Sequence, residues 1–248
     1  MAYAMLIDTT RCVGCMACQT ACQAEYGFPE REEPKLSATA RTTVEEQGDY
    51  YVRRMCMHCD VPSCVSVCPV GALTKTPEGP VIYDEKACMG CRYCMVACPF
   101  EVPRYEWDSL TPRIQKCTMC YHRITKGELP ACAEACPVDA VTFGDKKDIL
   151  ALARRRIVEQ PDRYVPRIYG ERIIGGTSVL FLAAVPFEQL AFKVELGDQP
   201  MPELTWAALS KIPEVVTLGG AFMMGLFWIV DRRNKRAREN GVTKGEQQ

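Results

Sequence analysis

Residues 88–99 read Cys88-Met89-Gly90-Cys91-Arg92-Tyr93-Cys94-Met95-Val96-Ala97-Cys98-Pro99, a C-x2-C-x2-C-x3-C-P run. Three more groups flank it along the chain. Cys12, Cys15, Cys18 and Cys22 repeat its spacing, with Gln23 where the proline would stand. Cys56, Cys59, Cys64 and Cys68 read C-x2-C-x4-C-x3-C-P, and Cys117, Cys120, Cys132 and Cys136 read C-x2-C-x11-C-x3-C-P. The chain has 16 cysteines, and the four groups use every one.

That arithmetic points to iron–sulfur chemistry. A tight C-x2-C-x2-C turn brings three thiolates onto one cube, and the fourth cysteine of such a run ordinarily ligates the other cluster of a pair. Sixteen thiolates suffice for four [4Fe–4S] clusters, and a chain built around four redox centres carries electrons. A triplet suits three corners of a cubane better than two arms of a tetrahedral zinc site. A zinc-stabilised interaction module is the alternative from another class. A disulfide framework belongs to small secreted chains and has no use for C-x2-C pairs with C-P endings. The two histidines, His58 and His122, sit inside groups that are complete without them. Gly14 and Gly90 permit close approach of the backbone to a cluster. Pro69, Pro99 and Pro137 stiffen the chain just after each crossing ligand. Arg53, Arg92 and Lys116 lie beside cysteines, where they either raise a local potential or are ordinary solvated basic residues. There is no Ser–His–Asp set, phosphate loop or dinucleotide fingerprint, so the catalytic residues number none and the chain reads as a non-catalytic electron-transfer subunit.

The groups form an internal repeat. Met5-Leu6-Ile7-Asp8 leads into Cys12 as Val81-Ile82-Tyr83-Asp84 leads into Cys88. Cys68-Pro69-Val70-Gly71-Ala72 is echoed by Cys136-Pro137-Val138-Asp139-Ala140. The order A, B, A′, B′ predicts an α+β fold of duplicated ferredoxin-like modules, two two-cluster units, over residues 1–145, with a polar insertion at about 24–48. Each unit reads as strand, cysteine loop, short helix; residues 73–75 and 141–143 read as extended, and 76–80 as a hairpin turn. Spacing alone leaves open which group pairs with which. Residues 146–203 read as an extension, with a helix over 148–159 and a buried strand in 173–185, packing on the first domain and on partner subunits.

Residues 204–248 read as a membrane anchor. The stretch 212–230 ends in a charge-free apolar run near the lower limit for a spanning helix. The alternative is a buried soluble helix. Arg232, Arg233, Lys235, Arg236 and Arg238 follow directly, a positive-inside signal that puts the C-terminus in the cytoplasm of a bacterial inner membrane and the iron–sulfur domain in the periplasm. Residues 1–8 lack a basic n-region and an apolar h-region, so an exported body would travel on a partner's signal. With a formal net charge of −1 and no basic stripe interleaved with aromatics, nucleic acid is not an expected partner.

In the order of its groups, the C-x2-C-x4-C-x3-C-P second group and the long gap between Cys120 and Cys132, the chain resembles the four-cluster iron–sulfur (beta) subunits of the molybdopterin oxidoreductase family. Tyr169-Gly-Glu-Arg-Ile-Ile-Gly-Gly-Thr-Ser-Val-Leu180 and a single apolar C-terminal segment resemble the branch found in membrane-bound formate dehydrogenases and some membrane-bound hydrogenases. The resemblance implies a relay between a molybdenum or tungsten catalytic subunit, foremost that of a formate dehydrogenase, and a membrane cytochrome b or quinone-reactive subunit; a hydrogenase or another respiratory oxidoreductase is the alternative. It also implies the ligand sets. Cys12, Cys15, Cys18 and Cys136 would hold one cluster, and Cys117, Cys120, Cys132 and Cys22 its partner. Cys88, Cys91, Cys94 and Cys68 would hold the third, and Cys56, Cys59, Cys64 and Cys98 the fourth. Nitrate reductase relatives replace one cysteine and hold a three-iron cluster; this chain keeps all sixteen. Gln23 after Cys22 departs from the pattern and affects rigidity more than ligation.

Overall fold

The structure, a computed structural model, describes residues 2–30 and 33–245, with side chains as far as Arg238. Met1, Arg31, Glu32 and residues 246–248, which fall in the expected first domain, insertion and basic tail, lie outside the described residues. The chain divides into two units, Met1–Pro202 and Glu203–Gln248.

In the first unit, strand β1 (Tyr3–Asp8) is the middle of a three-stranded sheet. It pairs antiparallel with β8 (Val141–Asp145), Ile7 opposite Val141, and parallel with β9 (Val179–Leu182), Met5 opposite Val179. Successive strand side chains point to opposite faces, and both faces of β1 are buried. Met5 and Ile7 join Val179, Phe181, Tyr169, Cys117 and Cys132 in one core. Ala4 and Leu6 join Leu180, Leu182, Ile149 and Ala153 in another. Helix α6 (Lys146–Glu159) supplies Ile149 and Ala153, and its first turn is capped by Asp145 accepting from the Lys147 N–H. An unbroken apolar Met-Leu-Ile triplet is what such a two-sided strand requires.

The remaining elements are short. Strands β2 (Thr42–Gln47) and β3 (Tyr50–Met55) form a hairpin about Gly48 and Asp49. Strands β4 (Leu73–Lys75) and β5 (Val81–Tyr83) form a second, and β6 (Arg104–Tyr105) with β7 (Ile114–Gln115) a third. Helices α1 (Ala17–Glu25), α2 (Ser63–Ser66), α3 (Tyr93–Ala97), α4 (Tyr121–Ile124) and α5 (Ala131–Glu134) each lie within or beside a cysteine group. The core beside β4 and β5 is small, built on Leu73, Val81, Cys94 and Ile114.

Two sequence expectations need amendment. The polar insertion at 24–48 ends in β2, because Thr42, Thr43 and Val44 are buried β-formers that pair with β3. The strand in 173–185 is confined to β9. Gly175 and Gly176 have φ of 85° and 96°, and at Gly176 a Cβ would come within 2.7 Å of the Asp60 carboxylate, so the chain turns there before extending.

The second unit contains helix α7 (Met201–Leu209), which begins at the end of the first unit, and helix α8 (Ile212–Gly245). Apolar side chains from Val215 to Val230, Phe222, Phe227 and Trp228 among them, are exposed. The stretch Met201–Arg238 is long and apolar enough to cross a membrane. Helix continues beyond residue 230 through the basic run, where the Arg232 guanidinium lies 5.2 Å from the Trp228 ring centre.

Candidate iron–sulfur sites

No two of the sixteen cysteines are joined in a disulfide. The four C-x2-C loops share one backbone device. The residue before the second cysteine is left-handed in each: Gly14 (69°), His58 (48°), Gly90 (74°) and Met119 (57°). This turns the loop's N–H groups inward. Gly90 N donates to Cys88 Sγ at 3.4 Å, and Met119 N to Cys117 Sγ at 3.2 Å. At Gly14 a Cβ would stand 2.5 Å from the Tyr51 ring, so glycine is required there by space as well as by φ. A second left-handed residue follows each Cys-Pro pair by two positions: Gly71 (65°), Glu101 (53°) and Asp139 (50°). Cys22, which lacks the proline, instead stays inside α1.

The repeat extends to the hydrogen bonds that join groups. Asp8 N donates to Ala140 O and Asp84 N to Ala72 O, each at 2.8 Å. Thus β1 lies against β8 as β5 lies against β4: the strand entering the first group pairs with the strand leaving the fourth, and the strand entering the third with the strand leaving the second. The cavities follow the same crossing. One is lined by Cys12, Cys15, Cys18 and Cys136, with Arg53 in its wall. Another is lined by Cys68, Cys88, Cys91 and Cys94. Cys22 lies near Cys120 and Cys132, and Cys59 near Cys56, Cys64 and Cys98, close enough for each thiolate to disfavour its neighbours. At the outer side of the first and fourth groups, Glu25 accepts from Arg123 Nη1 at 3.0 Å and bonds His122 Nε2 at 2.6 Å.

These thiols suit an iron–sulfur cluster. Burial, then neighbouring thiolates, pushes the Cys22 and Cys64 thiols up to about 12 and that of Cys94 up to about 11. Sulfurs so placed need a bound metal to become thiolates at neutral pH. Cys68 runs the other way: burial raises it, but the N–H groups of Leu73, Val70, Ala72 and Gly71 outweigh burial and lower it. N–H donors aimed at sulfur are the device that holds and tunes such clusters.

The basic residues separate cleanly. Arg92 stacks at the surface over Tyr105 and Trp107. Lys116 is buried and gives its ammonium to the carbonyls of Val81 and Cys117. Arg53 is also buried; burial works against its charge, but Cys132 and Cys18 more than compensate and hold it charged. His58 is fully buried, accepts from Val81 N through Nδ1, and has its pKa driven well below the usual value by burial and then by Lys116 and Lys75. It is therefore neutral. Sequence reasoning missed that His58 and Met119 would adopt a glycine-like conformation, and that Arg156 and Tyr164 would reach Asp8; no local signal marks either. The β2–β3 hairpin was detectable, since Thr-Thr-Val and Tyr-Tyr-Val flank Gly48-Asp49.

Two 4Fe–4S dicluster domain families match the chain, one over residues 4–69 and one over residues 48–146. With sixteen cysteines, two dicluster domains fit four [4Fe–4S] clusters. A protein of Nitratidesulfovibrio vulgaris is 40% identical over 258 residues, spanning 96% of this chain and 69% of the relative. The hydrogenase-2 operon protein HybA of Escherichia coli O157:H7 is 38% identical over 291 residues, spanning 96% of this chain and 86% of that protein. The iron–sulfur subunit of the nitrate-inducible formate dehydrogenase of Escherichia coli K12 is 34% identical over 199 residues, spanning 72% of this chain and 67% of that protein.

Proposed function

The chain belongs to the 4Fe–4S iron–sulfur (beta) subunits of oxidoreductase complexes, and on that premise we propose how it is wired and what it joins. It relays electrons between a molybdenum or tungsten catalytic subunit and a membrane cytochrome b or quinone-reactive subunit. Four [4Fe–4S] centres supply the one-electron capacity; the chain's own task is to hold, space and insulate them. Cys12, Cys15, Cys18 and Cys136 hold one, and Cys117, Cys120, Cys132 and Cys22 its neighbour. Cys56, Cys59, Cys64 and Cys98 hold a third, and Cys88, Cys91, Cys94 and Cys68 the last. The observation that carries this reading is the crossed repeat, Asp8 N–H to Ala140 O matched by Asp84 N–H to Ala72 O. It supports two modules made by duplication, with the first group beside the fourth and the second beside the third.

Cysteine variants test the sets. Paramagnetic resonance of reduced Cys98→Ser should lose the signal that Cys59→Ser loses, not the one that Cys91→Ser loses. Loss of the Cys91 signal would overturn the crossing.

The partner class has a second reading. A formate dehydrogenase was the foremost expectation, but the match to HybA runs through 96% of the chain against 72% for the formate dehydrogenase subunit, which favours a hydrogenase-type partner. Purifying the complex through this chain and assaying hydrogen- against formate-dependent dye reduction separates the two. Residues 204–248 anchor the complex in the bacterial inner membrane with the basic tail cytoplasmic. Deleting them should release the chain from the membrane fraction, and retention would count against the anchor.

A further inference from the structure

A buried charge is stable only when it is paired or well bonded. Arg53 is 2% exposed, and among the described residues no carboxylate pairs with it. Its Nε donates to Thr42 Oγ1 at 2.8 Å, and its Nη1 lies 3.6 Å from Met5 Sδ. Neither contact neutralises a guanidinium. The anionic groups within its reach are sulfurs. The Cys132 and Cys18 sulfurs lie near enough for their thiolate forms to favour its charge, and Cys12 and Cys22 also feel it. It forms part of the wall of the Cys12/Cys15/Cys18/Cys136 cavity. Cys18 and Cys132 belong to different ligand sets, so the guanidinium stands between two neighbouring sites. Lys116, the other buried cation among these residues, is spent on backbone carbonyls.

We infer that Arg53 is the shared counter-cation of the two clusters held by Cys12/Cys15/Cys18/Cys136 and Cys117/Cys120/Cys132/Cys22, and that it raises the reduction potential of both. The inference rests on the ligand sets proposed above. Its physics is direct: each cluster gains negative charge on reduction, and a fixed cation in a low-dielectric interior favours the more negative state. A planar guanidinium with five donors, spread wider than an ammonium's three, can face two sulfur sites at once. Thr42 is therefore a positioning residue: by holding Nε it leaves the outer nitrogens free to face sulfur.

The test uses the full chain in its membrane complex, under anaerobic conditions. Iron and acid-labile sulfide are measured first, then a redox titration is followed by paramagnetic resonance. In Arg53→Gln, iron and sulfide should match wild type. The midpoints of two clusters should fall, each by at least a tenfold change in its reduction equilibrium, about 59 mV for a one-electron couple. The other two midpoints should hold, and Arg53→Lys should recover part of the shift. Full metal content with all four midpoints unchanged would overturn the inference and leave the ligand sets standing. Wild-type protein lacking iron and labile sulfide would overturn both. Should Arg53→Gln fail to assemble, wild-type protein labelled with 15N in its arginine guanidinium groups decides. Spin-echo spectra of the reduced clusters should show a 15N coupling that disappears in Arg53→Lys, and its absence from wild type would overturn the inference.

Discussion

Asp8 and Asp84 each stand four residues ahead of the first cysteine of a group, and each accepts from the amide two residues on, Thr10 at 3.1 Å and Lys86 at 2.9 Å. Beyond these bonds and the matched donation of their own amides to Ala140 and Ala72, the likeness ends. Asp8 is fully buried and also accepts from Arg156 Nη1 at 2.9 Å and Tyr164 Oη at 2.8 Å, both from the extension beyond residue 145. Asp84 is exposed. The first and fourth groups have thus been built into a sheet with two cores, an aromatic cluster of Tyr169, Phe181, Phe187 and Phe192, and an ion pair whose carboxylate is fully buried. The third group keeps the bare β4–β5 hairpin and a core of four buried residues, with Met89, Tyr93, Val96, Trp107 and Leu110 exposed nearby, while Cys56 of the second group joins the larger core. One local plan therefore supports two degrees of reinforcement, and the difference lies in what the later chain adds.

The strongest way to break this contrast is to remove the iron. Chelation under reducing conditions should abolish amide-exchange protection in β4 and β5, where metal–thiolate bonds supply most of the folding energy, while β1 and β9 stay protected. Simultaneous loss from both sheets would show that the extension does not stabilise the first module independently. Next in size, Asp8→Ala strands Arg156 and should destabilise by about 3–5 kcal/mol. Asp84→Ala loses one exposed local bond and should cost about 1 kcal/mol or less. Anaerobic urea midpoints of the two variants compare them, and equal shifts would erase the distinction. The glycines of the matching loops come third. Gly14→Ala drives a methyl into Tyr51 on top of the left-handed strain, and should cost roughly 2–4 kcal/mol. At Gly90 the nearest atom is Tyr105 Oη at 3.2 Å, the end of a side chain that has only to give slightly, so Gly90→Ala should cost little beyond the strain, roughly 1–2 kcal/mol; retention of visible absorbance on warming ranks them. Smallest of all, Leu110→Ser, at a side chain that touches no core, should move the urea midpoint by the equivalent of about 0.5 kcal/mol or less.

Much of this was legible in the cysteines, because metal-ligand spacing is a local property written into consecutive residues. The same holds for β4, β5 and α6, whose apolar patterns and turn residues lie within a few positions of one another. What stayed hidden is non-local. The parallel partnership of β1 with β9 joins residues more than 170 positions apart, and nothing in Val179–Leu182 names its mate. Arg53 looked like any basic residue beside a cysteine. Its burial follows from the β2–β3 hairpin, half of which lay inside a stretch read as polar insertion. His58 and Met119 hold the loop shape of Gly14 and Gly90 without glycine, so the backbone geometry is imposed by the fold around them and not by residue type.

The central strand has a bearing on manufacture. Tyr3–Asp8 leaves the ribosome well before its neighbours on either side, residues 141–145 and 179–182. At about 5–20 residues per second, it waits on the order of ten seconds or longer for a mate. Cys12, Cys15 and Cys18 share that delay if Cys136 completes their site. The newborn protein thus passes through an interval in which these thiols are on display and this strand is an open sheet edge.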